Sequence, residues 1–167
     1  MGLHDHHEKA KTRVGCAVVT ISDTRTADTD SSGAKIRELL AAEGHETVTY
    51  RIVPDEPSLL RDTLRLMLAD PKVHAIFLTG GTGVAARDRT YETVRELLDK
   101  EIEGFGELFR AFSYQEIGPA AMLSRAIAGT LAGKVLFSMP GSTAAVELAM
   151  RKLALPELGH VLHLLEG

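Results

Sequence analysis

Tryptophan is missing from the 167-residue chain, and its other aromatics are five phenylalanines and three tyrosines. Binding of single-stranded nucleic acid relies on aromatic stacking platforms in a basic groove. With so few aromatics and a formal net charge of -4, neither is on offer, so nucleic acid is not an expected partner. Cysteine occurs once, as Cys16 within VGCAVVTIS. An internal disulfide is therefore excluded, and a buried reduced thiol in a cytoplasmic protein is the expected state. No apolar run is long enough to cross a bilayer, and the opening MGLHDHHEKAKTR has no apolar signal core. Residues 1–13 read as a flexible polar tail, on which His4, His6 and His7 are candidate ligands for a divalent ion.

What is present fits one domain over residues 14–167, long enough to bury a sizeable core. Val14 to Ser22 is nearly continuous in β-formers and predicts a strand buried on both faces. The polar SDTRTADTDSSG follows, then a helix capped by Ser31 or Ser32, with Ile36, Leu39 and Leu40 inward and Gly44 at its end. A second strand spans His45 to Val53, with Val48, Tyr50 and Ile52 on one face. PDEPSLLRDTLRLML predicts a helix with Asp55 or Glu56 near its start and Leu60, Leu64 and Met67 or Leu68 at core spacing.

A third strand, Val73 to Thr79, leads into a glycine-rich loop and a helix from about Thr90. Beyond Glu101 the pattern predicts a helix over GFGELFRAFSYQEIG and a loop or short helical turn over GPAAMLSRA. Two short strands then turn about Ala132-Gly133, and STAAVELAMRKLAL forms a last helix. Such alternation implies a three-layer α/β/α sandwich on a mainly parallel, mixed sheet. The joints after Ser22, Val53, Gly80 and Met139 should gather at the carboxyl edge, where open α/β sheets bind ligands.

The loop FLTGGTGVAARDRT carries the chemistry. It fits the dinucleotide fingerprint in letters but not in place, because it follows the third strand instead of the first and does not open a helix at once. No Gly-Lys-Ser/Thr occurs, so it is not a Walker loop. The surviving reading is an anion site: glycines let backbone N–H groups approach a phosphate. Asp88 beside such a site either holds Mg²⁺ between itself and the phosphates or, like Thr90, caps the next helix. On pattern alone Asp55 reads as a helix cap.

The ordered set TISD, PDEPSLLRDTL, LTGGTGVAARDRT, GFGELFRAFS, LSRAIAG and MPGSTAAV resembles the MoaB/MogA family of molybdenum cofactor biosynthesis, its B branch most of all. The resemblance covers almost the whole chain from Val14 on. It implies binding of molybdopterin and, in the active branch, adenylylation of its terminal phosphate by ATP with Mg²⁺, pyrophosphate leaving. A homotrimer that can pair into a hexamer is implied as well, together with hand-over to the partner protein that inserts molybdate.

Carried over by motif, the catalytic and metal-holding pair is Asp55 and Asp88. Gly80, Gly81, Thr82 and Gly83 would line the phosphates and nucleotide, with Ser22, Asp23, Gly141 and Ser142 beside them. Ser113, Ser124 and Arg125 would lie near the pterin phosphate. Tyr91 and Glu103 stand where many active members have proline. The alternatives are a non-catalytic molybdopterin carrier of the same pathway and a nucleotide pyrophosphatase resembling the related domain of competence-damage proteins. The segment carrying Phe105, Leu108, Phe109, Phe112 and Tyr114 either contacts another subunit or covers one edge of its own sheet.

Overall fold

Val18 and Val19 are neighbours in sequence, yet they belong to different hydrophobic cores. Successive strand residues point to opposite faces, and both faces of this sheet are covered. The computed structural model describes residues 13–167, so the candidate metal ligands His4, His6 and His7 lie outside the described residues. Its strands are β1 (Gly15–Ile21), β2 (Glu46–Val53), β3 (Ala75–Thr79), β4 (Lys100–Glu101), β5 (Ile127–Leu131) and β6 (Lys134–Met139). The helices are α1 (Ser31–Ala42), α2 (Pro57–Ala69), α3 (Thr90–Leu97), α4 (Glu103–Ile117), α5 (Thr143–Ala149) and α6 (Leu155–Glu166).

The strands form one six-stranded sheet in the order β2-β1-β3-β6-β5-β4. Strands β2, β1, β3 and β6 are mutually parallel, while β5 and β4 run antiparallel to their neighbours. On one face Cys16, Val18, Phe77 and Phe137 pack with Ile36 and Leu40 of α1, Phe105 and Phe109 of α4, and residues of α5 and α6. On the other, Val19, Ile76, Leu78 and Leu136 pack with Leu60, Leu64 and Met67 of α2 and Val94 of α3. This is the three-layer sandwich that the sequence pattern predicts. Burial pushes the Cys16 thiol up to about 12, so it stays protonated as a small core residue.

Four local expectations are corrected. Val48 and Tyr50 do not share a face: Val48 packs on the α2 side and Tyr50 on the α1 side. The β1–β2 register slips between Cys16 and Ala17, opposite Thr47 and Thr49, which breaks the alternation at Val48. Helix α1 is capped by Asp30, whose Oδ1 accepts from the Gly33 N–H at 2.9 Å, and not by Ser31 or Ser32. Neither Asp55 nor Glu56 caps α2 through its side chain, since Glu56 occupies the cap position without such a bond.

The last correction concerns the C-terminal helix, which runs past Leu155 instead of stopping there. A π-type turn over Met150–Ala154 joins α5 to α6. Pro156 lacks an N–H and would crowd an ordinary helical turn, and the widened turn just before it lets the chain continue. Proline, a helix-stop signal in sequence, is thus tolerated inside a longer helical run.

Asp30 does more than cap. It is 3% exposed, and its Oδ2 accepts from Thr20 of β1 at 2.6 Å and from the Tyr50 hydroxyl of β2. One carboxylate therefore ties two strands to the start of α1, with Arg37 of that helix lying 4.0 Å over the Tyr50 ring. At the same edge the backbone of Gly80 (φ 106°) is pressed so closely on β1 that a Cβ would overlap the Ile21 carbonyl. In urea unfolding, Asp30→Ala should cost about 2–4 kcal/mol, because it strands buried donors and removes a cap. Gly80→Ala should cost about 3 kcal/mol or more, combining overlap with a disfavoured φ.

Candidate functional site

Three strand ends and the residues that follow them converge at the carboxyl edge. After β1, the Ser22 N–H donates to Val53 O at 2.9 Å, and the Ser22 hydroxyl accepts the N–H groups of Thr24 and Arg25. The next residue, Asp23, accepts from the Asp55 backbone N–H at 3.1 Å, which joins the β1 and β2 ends. Arg87, from the loop after β3, grips Asp23 in a bidentate pair at 2.8 and 2.9 Å and reaches Glu56 at 2.8 Å. One guanidinium thereby ties all three joints together. Its hydrogen bonds to Asp23 are the main reason that carboxyl is drawn down to about 2.

The glycine loop sits between two carboxylates. Gly81 (φ 68°) can be nothing larger, since a Cβ would strike Thr90 Oγ1 and lie 2.9 Å from Asp55 Oδ2. A Cβ on Gly83 would stand 2.6 Å from Asp88 Oδ2. Asp88 accepts from the Ala85 N–H at 3.1 Å, a bond within the loop, so it does not cap α3. Thr90 makes no side-chain cap of α3 either, that position belonging to Arg89. Asp55 is only 8% exposed. Its carboxyl is pushed above the ordinary range by burial first, with the Arg89 backbone N–H opposing, and then by the negative charges of Asp88 and Asp23.

A cavity of about 500 Å³ opens over this loop. It is lined by Ser22, Gly80, Gly81, Thr82 and Gly83, and also by Asp88, Ser124 and Gly141. Asp55 lies directly under Gly81, and Asp23 adjoins it. Gly141 packs 3.5 Å, measured from an added Cβ, against Gly80 Cα. Ser142 caps α5 by accepting from Ala145 N–H at 3.2 Å. Ser113, 7% exposed, is a buried residue of α4 and is not among those lining the cavity.

Arg125 faces the loop itself. Its guanidinium donates to Gly83 O at 3.0 and 2.6 Å and to Asp88 O at 3.0 Å, pairs with Glu92, and lies 5.1 Å from the Tyr91 ring centroid. It acts as a strap across the segment that carries Asp88. Sequence reasoning missed Thr20, Arg25, Asp30, Ser32 and Pro140, which also line the cavity. Ser32 donates to Gly141 O at 2.6 Å, and Thr143 and Ser31 meet at 2.9 Å, so the starts of α1 and α5 are latched together. The signal for Asp30 was its spacing of three from Gly33, just ahead of an apolar helical stripe.

Two carboxylates near a loop of closely approaching backbone form an oxygen-only donor set suited to a hard cation such as Mg²⁺. A cation would also relieve the mutual repulsion around Asp55. Among the described residues no three His, Cys, Asp or Glu side chains converge as a metal site. Oxygens of a bound substrate would have to complete the shell. The chemistry open to this arrangement is transfer at phosphorus, which depends on positioning and charge neutralisation more than on a covalent protein group.

Residues 17–160 match the family model described as "Probable molybdopterin binding domain". Molybdenum cofactor biosynthesis protein B of Halalkalibacterium halodurans is 56% identical over 163 residues, 97% of this chain and 96% of that protein. A crystal structure of a molybdenum cofactor biosynthesis protein B has a TM-score of 0.90 at 53% identity, over 92% of this chain and 96% of the other. The tungsten cofactor synthesizing protein MoaB from Pyrococcus furiosus gives 0.85 at 36% identity, over 95% and 100%. With its glycine loop flanked by two aspartates at the carboxyl edge of this sheet, the chain belongs to the MoaB/MogA family of molybdenum cofactor biosynthesis proteins.

Proposed function

We propose that the chain binds molybdopterin and adenylylates its terminal phosphate with MgATP, for delivery to a molybdate-inserting partner protein. The observation that carries this reading is the pair of carboxylates, Asp55 and Asp88, each backed against a glycine of the same loop. A phosphate oxygen of molybdopterin forms a bond to the α-phosphorus of ATP. The bond from that phosphorus to the bridging oxygen breaks, and its electron pair leaves with pyrophosphate. Asp55 and Asp88 would hold Mg²⁺, which supplies charge neutralisation to the triphosphate.

Everything else falls to the chain's own groups. Gly80 to Gly83 let the backbone approach the phosphates, and Arg125 and Arg87 keep the loop in place from its two sides. Ser124 borders both the main cavity and a second one of about 390 Å³ that also touches Arg110 and Tyr91. A wall shared by two cavities suits a transfer between two substrates. On α4, Phe105 and Phe109 fill the chain's own core, whereas Leu108, Tyr114 and Ile117 are 52–60% exposed and Met122, just beyond, is 76% exposed. We assign that apolar surface to contacts within a homotrimer.

The decisive test is anaerobic incubation of the protein with molybdopterin, ATP and Mg²⁺, following adenylylated molybdopterin by chromatography. Asp88→Asn and Asp55→Asn should each lower turnover by about 100-fold or more. Asp55→Asn should unfold at no lower temperature than wild type, because it replaces a desolvated charge beside two like charges by a neutral amide of the same shape. Tight pterin binding without product would make the protein a carrier. Light scattering should return three times the monomer mass, and a strict monomer would remove the trimer.

A further inference from the structure

Thr90 opens α3 and is 1% exposed, and its Oγ1 is enclosed without a hydrogen-bond partner. Leaving a buried hydroxyl unpaired costs about 1–3 kcal/mol. Valine would fill the same space without that cost. The Thr90 backbone N–H donates to Gly81 O at 3.1 Å, which brings the side chain beneath the glycine loop. There its hydroxyl and Asp55 Oδ2 crowd the same point, the one a Gly81 Cβ would occupy, with Oδ2 at 2.9 Å and Oγ1 closer. The backbone N–H of the preceding residue, Arg89, favours the charged form of the Asp55 carboxyl.

We propose that Thr90 is a positioning residue for Asp55: its hydroxyl, unpaired in the free protein, donates to Oδ2 when MgATP binds and, beside the Arg89 N–H, fixes how that carboxylate holds the nucleotide's cation. The inference rests on the role assigned to Asp55 above. Two donors on one carboxyl would oppose its rotation, and Oγ1 and Oδ2 already stand around the same point beside Gly81. Because the loop residue between them is Gly81, no side chain separates the pair. The hydroxyl is then retained for orientation and contributes nothing to folding.

The test compares Thr90→Val and Thr90→Ser with wild type, using calorimetric titration with MgATP alongside thermal unfolding. Thr90→Val should weaken MgATP binding about tenfold or more, the loss of one hydrogen bond to a charged group. Its unfolding temperature should match or exceed that of wild type, since an unpaired buried donor has been removed. Thr90→Ser should keep most of the affinity. Equal binding by Thr90→Val, a lower unfolding temperature for it, or a loss in Thr90→Ser as large as in Thr90→Val would each overturn the proposal. A wild type that binds MgATP but makes no adenylylated product would sink the transferase reading and leave this comparison intact. Failure of the wild type to bind MgATP would remove both.

Discussion

At Gly80 the ends of three parallel strands meet with no side chain between them, and the geometry of the site follows from that contact. Its Cα faces the Ile21 carbonyl at the end of β1, its N–H donates to Met139 O at the end of β6 at 3.0 Å, and Gly141 lies against it. A chain leaving β3 under these limits cannot start a helix at once. It turns up through Gly81 with φ positive and opens α3 only at Thr90. Of the residues in between, Thr82, Gly83 and Asp88 line the cavity. Strand order reverses on either side of β1 and β3, the place where an open α/β sheet offers a crevice.

Charge around the crevice is arranged with little to spare. Arg87 is committed to Asp23 and Glu56, and Arg125 to loop carbonyls and Glu92. Arg25, at the cavity edge, donates to Thr29 O at 2.7 Å. Arg25, Arg87 and Arg125 thus hold the protein in shape. Neutralising a triphosphate would then depend on backbone N–H groups and on a cation held by the two remaining carboxylates. This division of labour gives Asp55 and Asp88 a purpose beside an anion, where their charge would otherwise repel it.

Much of the architecture could be read from periodicity. The apolar stripes at Ile36, Leu39 and Leu40 and at Leu60, Leu64 and Met67 are buried as their spacing predicts. What was illegible has identifiable causes. A register slip at Val48 has no sequence marker, and Pro156 signals a stop that a widened turn circumvents. Strand β4 has two residues, too few for any pattern. In the site, the glycine loop follows β3 as the strand pattern predicts, but Asp23 and Arg125 find their partners far along the chain, as Asp30 does in Tyr50. Arg125 and Gly83, for instance, are 42 residues apart.

Two buried aspartates show how the same residue type serves opposite ends. Asp30 receives donors on both oxygens, from Gly33, Thr20 and Tyr50, and a fully satisfied network of this kind stabilises and specifies a fold. Asp55 is nearly as buried, yet two negative neighbours stand close by and the hydroxyl nearest to it points at no partner. Selection for folding alone would have repaired that site with a neutral side chain. Local rules are kept at Asp30 and broken at Asp55 within the same carboxyl edge. That contrast sets the group that builds the edge apart from Asp55 and accords with the role proposed for it, because unrelieved polar strain is expected where a protein does its chemistry.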